Sequence, residues 1–149
     1  MFRLSLILLA LLSAPALACT QDPAAARDVI TATNAYRADY GRGAVRANRD
    51  LTQAAFAHAC DLYRSGTFSH SGTNGSRVGD RVTKAGYRWR YVGENIASGQ
   101  KSAREVVTAW QGSPGHNRTL LNQKGRHIGV AAIRKGRGLI WVMVVADKL

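Results

Sequence analysis

Apolar positions recur along this chain at two different spacings, and the change from one to the other marks out its elements. Between residues 24 and 40, Val29, Thr33, Tyr36 and Tyr40 fall at helical spacing and Gly41 supplies a stop, which predicts a first helix. After the polar stretch "GRGAVRANR", Asp50 followed by Gln53 has the form of a capping box. Leu51, Ala55, His58 and Leu62 then share one face until Gly66 ends the helix. That periodicity assigns His58 to the core or its rim. Residues 66–76, rich in glycine, serine and asparagine, read as a loop carrying His70 in "FSHSG", and Val78, Val82 and Ala85 suggest a short helix ending at Gly86. The aromatic and arginine alternation of "YRWRYV" predicts a strand with one face buried. Ser102 with Glu105 forms a second capping box, opening a helix whose apolar stripe is Ala103, Val106, Val107 and Trp110; Pro114 and Gly115 then interrupt it before a short helical turn. Two apolar runs close the chain. "HIGVAAI" alternates, as a strand with one face on the core does, while "LIWVMVV" is continuous, as a central strand buried on both faces would be, and "RKGRG" is hairpin chemistry between them. Helices, an intervening strand and a terminal hairpin together predict an α+β sandwich in a single domain.

The N-terminus departs from this pattern. "MFRLSLILLALLSAPALAC" has a basic start at Arg3, an apolar run too short to span a bilayer, and small residues at Ala16 and Ala18. Residues 1–18 therefore read as a secretory signal peptide and residues 19–149 as the mature domain, without a transmembrane span. Export leads to an oxidising compartment, where the chain's two cysteines, Cys19 and Cys60, are expected to pair. Such a bridge closes a loop of about 40 residues and stabilises by roughly 3 to 4 kcal/mol on a chain-entropy argument. The alternative is a lipid anchor on Cys19, which would leave Cys60 unpaired.

Charge changes the picture further. The formal net charge is +12, and loss of Arg3 with the leader leaves 20 basic residues against 9 acidic, or +11. Sixteen of the 21 basic residues are arginine, whose fork suits phosphate and carboxylate, so an anionic polymer of the cell envelope or a lipid is the expected partner. The bland alternative is that the charge merely keeps an exported monomer soluble. No specific nucleic acid is expected, because the basic residues are scattered and accompany no recognition motif.

Against that background the two glutamates stand out. Glu105 is explained as a helix-start carboxylate, but Glu94 lies in "YVGENIASG", a run with no other charge. It joins His70 and His116 as an ionisable residue among glycines and small residues, read here as loop-placed. His127 is read as a strand-start residue outside the site. Arg77, Arg81, Arg88, Arg90 and Arg118 read equally as anion contacts around a cleft or as a solvated face.

The pieces "TNAYRADYG", "LTQAAFAHACDLYRSGTFSHSG", "RVTKAGYRWRYVGENIASG", "VVTAWQGSPGHNRTLL" and "HIGVAAI", in that order, resemble the CAP superfamily of cysteine-rich secretory, antigen 5 and pathogenesis-related proteins in its bacterial form. The resemblance implies a three-layer α-β-α sandwich with a cleft lined by two histidines and two acidic residues. His70, Glu94 and His116 take three of those places, and Ser113 stands where eukaryotic relatives often have the second carboxylate. Zinc held by His70 and His116, with Glu94 nearby, is one implied use of the cleft. An anionic, lipid or sterol ligand is another. The missing carboxylate favours a binding module of the secreted or periplasmic space over an enzyme; the competing expectation is a metal-assisted hydrolase acting on peptide or wall material.

Overall fold

The apolar run near the C-terminus forms a strand buried on both faces, and the layers of the molecule follow from its alternation. The computed structural model describes residues 19–149, so the leader expected over residues 1–18 lies outside the described residues. The order is α1 (Pro23–Asp39), β1 (Arg46–Ala47), α2 (Arg49–Ser65), α3 (Val78–Lys84), β2 (Trp89–Ser98), α4 (Ala103–Gln111), α5 (Pro114–Leu120), β3 (His127–Lys135) and β4 (Gly138–Lys148). The strands lie in the order β1-β3-β4-β2, with β1 parallel to β3 and the other pairings antiparallel.

Along β4, Leu139, Trp141, Met143 and Val145 join Val29 of α1 and Val106, Val107 and Trp110 of α4 in one core. Ile140, Val142, Val144 and Ala146 point the other way, onto Leu51, Ala55 and Leu62 of α2 and Val82 of α3. This is the period-2 alternation of a central strand feeding two helical layers, and it makes the expected α-β-α sandwich.

β3 departs from the expectation of one buried face, because Ile128 to Ile133 are all buried. It lies inside β1 in the sheet, so α1 and α2 cover it from opposite sides. Gly129 permits the α2 contact: a Cβ there would collide with the backbone of Leu51 and Thr52.

Three other expectations change. The cap of α2 lies two residues before Asp50: Asn48 is the N-cap and accepts from the Leu51 amide at 3.0 Å. The "GRGAVRANR" stretch contains the two-residue β1, too short to show a period. Glu94 lies within β2 and His116 within α5, so neither is loop-placed. The disulfide expectation agrees with the structure: Cys19 is bonded to Cys60 with Cα atoms 5.6 Å apart. Among the described residues no helix is long and apolar enough to cross a membrane.

Candidate functional site

β2 is an edge strand, and the candidate residues gather where the two helical layers reach that edge. Its alternation decides what each side chain meets. Ile96 belongs to the α2 side of the sheet with Val92 packed against it, so Glu94 also faces that side. Ala97 belongs to the α1 and α4 side, and Asn95 faces the same way as Ala97, opposite to Glu94.

Glu94 is held by two groups and approached by a third. Its side chain is only 2 % exposed; Arg81 Nη2 donates to Oε2 at 2.7 Å and His70 Nδ1 lies 2.8 Å from Oε1. His58 Nε2 is 3.9 Å from Oε1. Burial by itself would raise the Glu94 pKa, but the His70 hydrogen bond, the Arg81 charge and the lesser pull of His58 outweigh it and hold the carboxyl below its ordinary value. Glu94 is thus a carboxylate with both oxygens engaged.

That carboxylate fixes its neighbours in turn. An ionised carboxylate only accepts, so His70 Nδ1 carries a proton, on a ring whose side chain is 58 % exposed and whose Nε2 makes no hydrogen bond among the described residues. His58 has no exposed side-chain surface, and its Nε2 lies 3.0 Å from the Ser69 carbonyl, to which it must donate. Burial lowers the His58 pKa, opposed in part by Glu94, so the ring is neutral at pH 7 and its 3.9 Å approach to Glu94 is not an ion pair. Its Nδ1 is buried with no partner among the described residues.

His116 comes from the opposite layer. Asn95 Nδ2 donates to the His116 carbonyl at 3.0 Å, which ties α5 to the outer strand. Burial lowers the His116 pKa, and the charge of His70 lowers it further. The two rings are therefore electrostatic neighbours, while among the described residues the His116 ring makes no hydrogen bond to Glu94. Ser113 is the N-cap of α5 without a side-chain capping bond. His127 begins β3 and its Nδ1 lies 2.8 Å from the Tyr87 hydroxyl, away from the group.

Two members of the network escape sequence reasoning. Arg81 reads from the sequence as a cleft contact or a solvated residue, yet it is 8 % exposed and also donates to the carbonyls of Ser76 at 2.7 Å and His70 at 3.2 Å. A signal is present: Val78, Arg81, Val82 and Ala85 share the inner face of a short helix. His58 is in the core as its periodicity implies, but its position beneath Glu94 is not legible from one helix. Both residues also line a hollow of about 430 Å³ between α2 and α3, whereas a larger groove of about 950 Å³ runs between α1 and α4. Neither hollow is lined by His70, Glu94 or His116.

The donor set does not fit a resident zinc ion. Glu94 spends its oxygens on Arg81 and His70, leaving two imidazoles where resident sites use three or four protein ligands. Among the described residues no group of three or more histidine, cysteine, aspartate or glutamate side chains could hold a metal.

The profile of the cysteine-rich secretory protein family (CAP) matches residues 30–145. The uncharacterized protein YkwD of Bacillus subtilis (strain 168) is 34 % identical over 122 residues, which cover 82 % of this chain and 47 % of that one. The chain thus spans about half the length of this relative. In structure it resembles an extracellular protein containing a SCP domain from Bacillus anthracis, with TM-score 0.78, 22 % identity, and coverage of 85 % of this chain and 41 % of that one. It also resembles an outer surface protein from Borrelia burgdorferi, with TM-score 0.78, 20 % identity, and coverage of 89 % of this chain and 100 % of that one.

Proposed function

The chain belongs to the cysteine-rich secretory protein (CAP) family, and on that premise we propose that it works outside the cytoplasm as a binding module of the bacterial envelope. The observation that carries this reading is the exposed His70 ring, held at Nδ1 by a buried Glu94–Arg81 pair and within electrostatic reach of His116. A neutral Nε2 accepts a hydrogen bond from a hydroxyl and a protonated one donates to an anionic oxygen, so the pair of rings suits a group that carries both, such as a glycerol phosphate headgroup. The descriptions of the two structural relatives as extracellular and outer surface proteins support the location, as does the expected leader. A Cys19 sulfur held in a disulfide cannot also carry a lipid, which favours a secreted or periplasmic domain over one anchored at Cys19.

The hydrolase alternative finds less support: both Glu94 oxygens are engaged in a buried, acid-shifted carboxylate, which leaves only the imidazoles of His70 and His116 as candidate bases, with no nucleophile hydrogen-bonded to either among the described residues.

Titration with monomeric short-chain phosphatidylglycerol, followed by NMR of the histidine rings, tests the binding reading. His70 and His116 signals are expected to shift together and saturate, and a His70→Ala, His116→Ala variant to lose affinity by at least roughly tenfold, as for two lost hydrogen bonds to a charged group. Ring signals that stay still, or affinity unchanged in the double variant, would refute it.

A further inference from the structure

The end of the sheet where β1, β2 and β3 begin carries a charge pattern that the histidine site does not use. Arg37, in the last turn of α1, is 1 % exposed, yet no carboxylate is among its partners in the described residues. Its Nε donates to the Gly43 carbonyl at 2.8 Å, Nη1 to those of Leu120 at 2.7 Å and Asn122 at 3.1 Å, and Nη2 to that of Gly125 at 3.5 Å. Carbonyl dipoles satisfy its protons but leave its charge uncancelled. Burial first, then the charges of Arg126 and Arg42, lowers its pKa, so both of those guanidiniums lie within electrostatic range of it. Arg42 Nε is itself buried without a hydrogen-bond partner among the described residues.

The cationic group continues along the ends of the strands. The Arg46 amide donates to the Arg126 carbonyl at 2.9 Å and the Arg126 amide to that of Ala146 at 3.0 Å, which sets the ends of β1, β3 and β4 side by side. At the far side Lys148 pairs in register with Trp89, and Arg90 of β2 reaches Asp147 at 2.6 Å. Asp147 is the one carboxylate among the hydrogen-bond and ion-pair partners of these basic side chains within the described residues, and it too feels Arg126. Three strand spacings make this row roughly 14 Å long, too long for a single anion. Arg46, Arg90, Arg126 and Lys148 are all exposed.

We propose that this end of the sheet is a binding surface for a phosphate-bearing polyanion lying across the ends of β1, β3, β4 and β2. Guanidinium forks match phosphate oxygens, and here they concentrate where little internal acid cancels them. The surface goes beyond the histidine site, is reached from other strand ends, and stands or fails separately from it.

Binding of fluorescent linear inorganic polyphosphate, at low and moderate salt, tests the assignment with the intact protein. Arg46→Gln, Arg126→Gln, Lys148→Gln is expected to lose at least roughly tenfold in affinity, the combined effect of three surface ionic contacts, and to flatten the salt dependence. A charge-matched variant, Arg64→Gln, Lys84→Gln, Lys101→Gln, is expected to lose less than about threefold. Equal losses in the two variants would overturn the proposal, because attraction would then follow net charge alone. Arg126 also donates to the Gln123 and Gly125 carbonyls, so the double variant Arg46→Gln, Lys148→Gln, which spares those bonds, decides the matter if the triple variant does not fold; no loss there overturns the surface. Phosphatidylglycerol vesicles form a second arm: vesicle binding that the same substitutions abolish supports the surface and names a lipid source, and polyphosphate binding without it supports a soluble or wall polymer.

Discussion

Glu94 shows how one buried charge organises several residues. Its side chain and that of Arg81 are both buried, so each ion requires the other. Removing one partner of a buried pair leaves an uncompensated charge, and Glu94→Gln is expected to lower stability by roughly 3 to 5 kcal/mol in urea unfolding; a loss below about 1 kcal/mol would mean that Arg81 is well solvated. The pH dependence follows from the directions of the shifts. Glu94, His58 and His116 all titrate below their ordinary values in the folded state, so in each case the unfolded chain takes up its proton first as pH falls. Stability is therefore expected to decline in two stages, first below about pH 6.5 from the histidines and then below about pH 4.3 from Glu94, with the second stage reduced in Glu94→Gln. A flat profile between about pH 7 and pH 5 would contradict the burial argument for His58. Much of this is legible in the sequence: an isolated carboxylate and histidines set among glycines and small residues single out His70 and Glu94, which do meet. Arg81 is obscured because an arginine on a short helix looks like a solvated residue unless its place beside Val78 and Val82 is weighed.

At the scale of elements, legibility depends on length. Helices of two turns or more and the long hairpin strands carry enough period to be read, and the α+β sandwich follows from them. β1 has two residues and exists only because β3 lies beside it. The start of α2 is hidden for a different reason: Asp50 and Gln53 have the right identities for a capping box, but Asn48 has the extended backbone and the bond to Leu51. Asn48→Ala is accordingly expected to cost about 1 kcal/mol. Asp50→Ala, which removes only a first-turn charge with a 3.5 Å contact to Arg49, is expected to cost less than about 0.5 kcal/mol. The reverse order in thermal unfolding would restore Asp50 as the cap. β2 is predicted as a strand but cut short, because Gly93, Glu94 and Asn95 resemble loop composition; an edge strand tolerates them since one side of it lacks a partner strand among the described residues.

For the molecule as a whole, the disulfide joins the start of the expected mature chain to α2 across a separation of 41 residues. The chain-entropy relation gives about 4 kcal/mol for such a loop. Reduction, or Cys60→Ala, is expected to lower the unfolding free energy by that order, and an unchanged unfolding midpoint would show that the bridge constrains little. Two cysteines and an N-terminus that reads as an export signal make this link legible, whereas the concentration of arginines at one sheet end is invisible until strand order places Arg46, Arg126 and Arg90 in a row. The central claim is that the buried Glu94–Arg81 pair holds the exposed His70 ring by its Nδ1. Ring nitrogen-15 NMR of His70 in its neutral form measures this most directly: the account predicts the proton on Nδ1 in the wild type and a shift toward the other tautomer in Glu94→Gln, whereas a wild-type ring protonated mainly on Nε2 would contradict it.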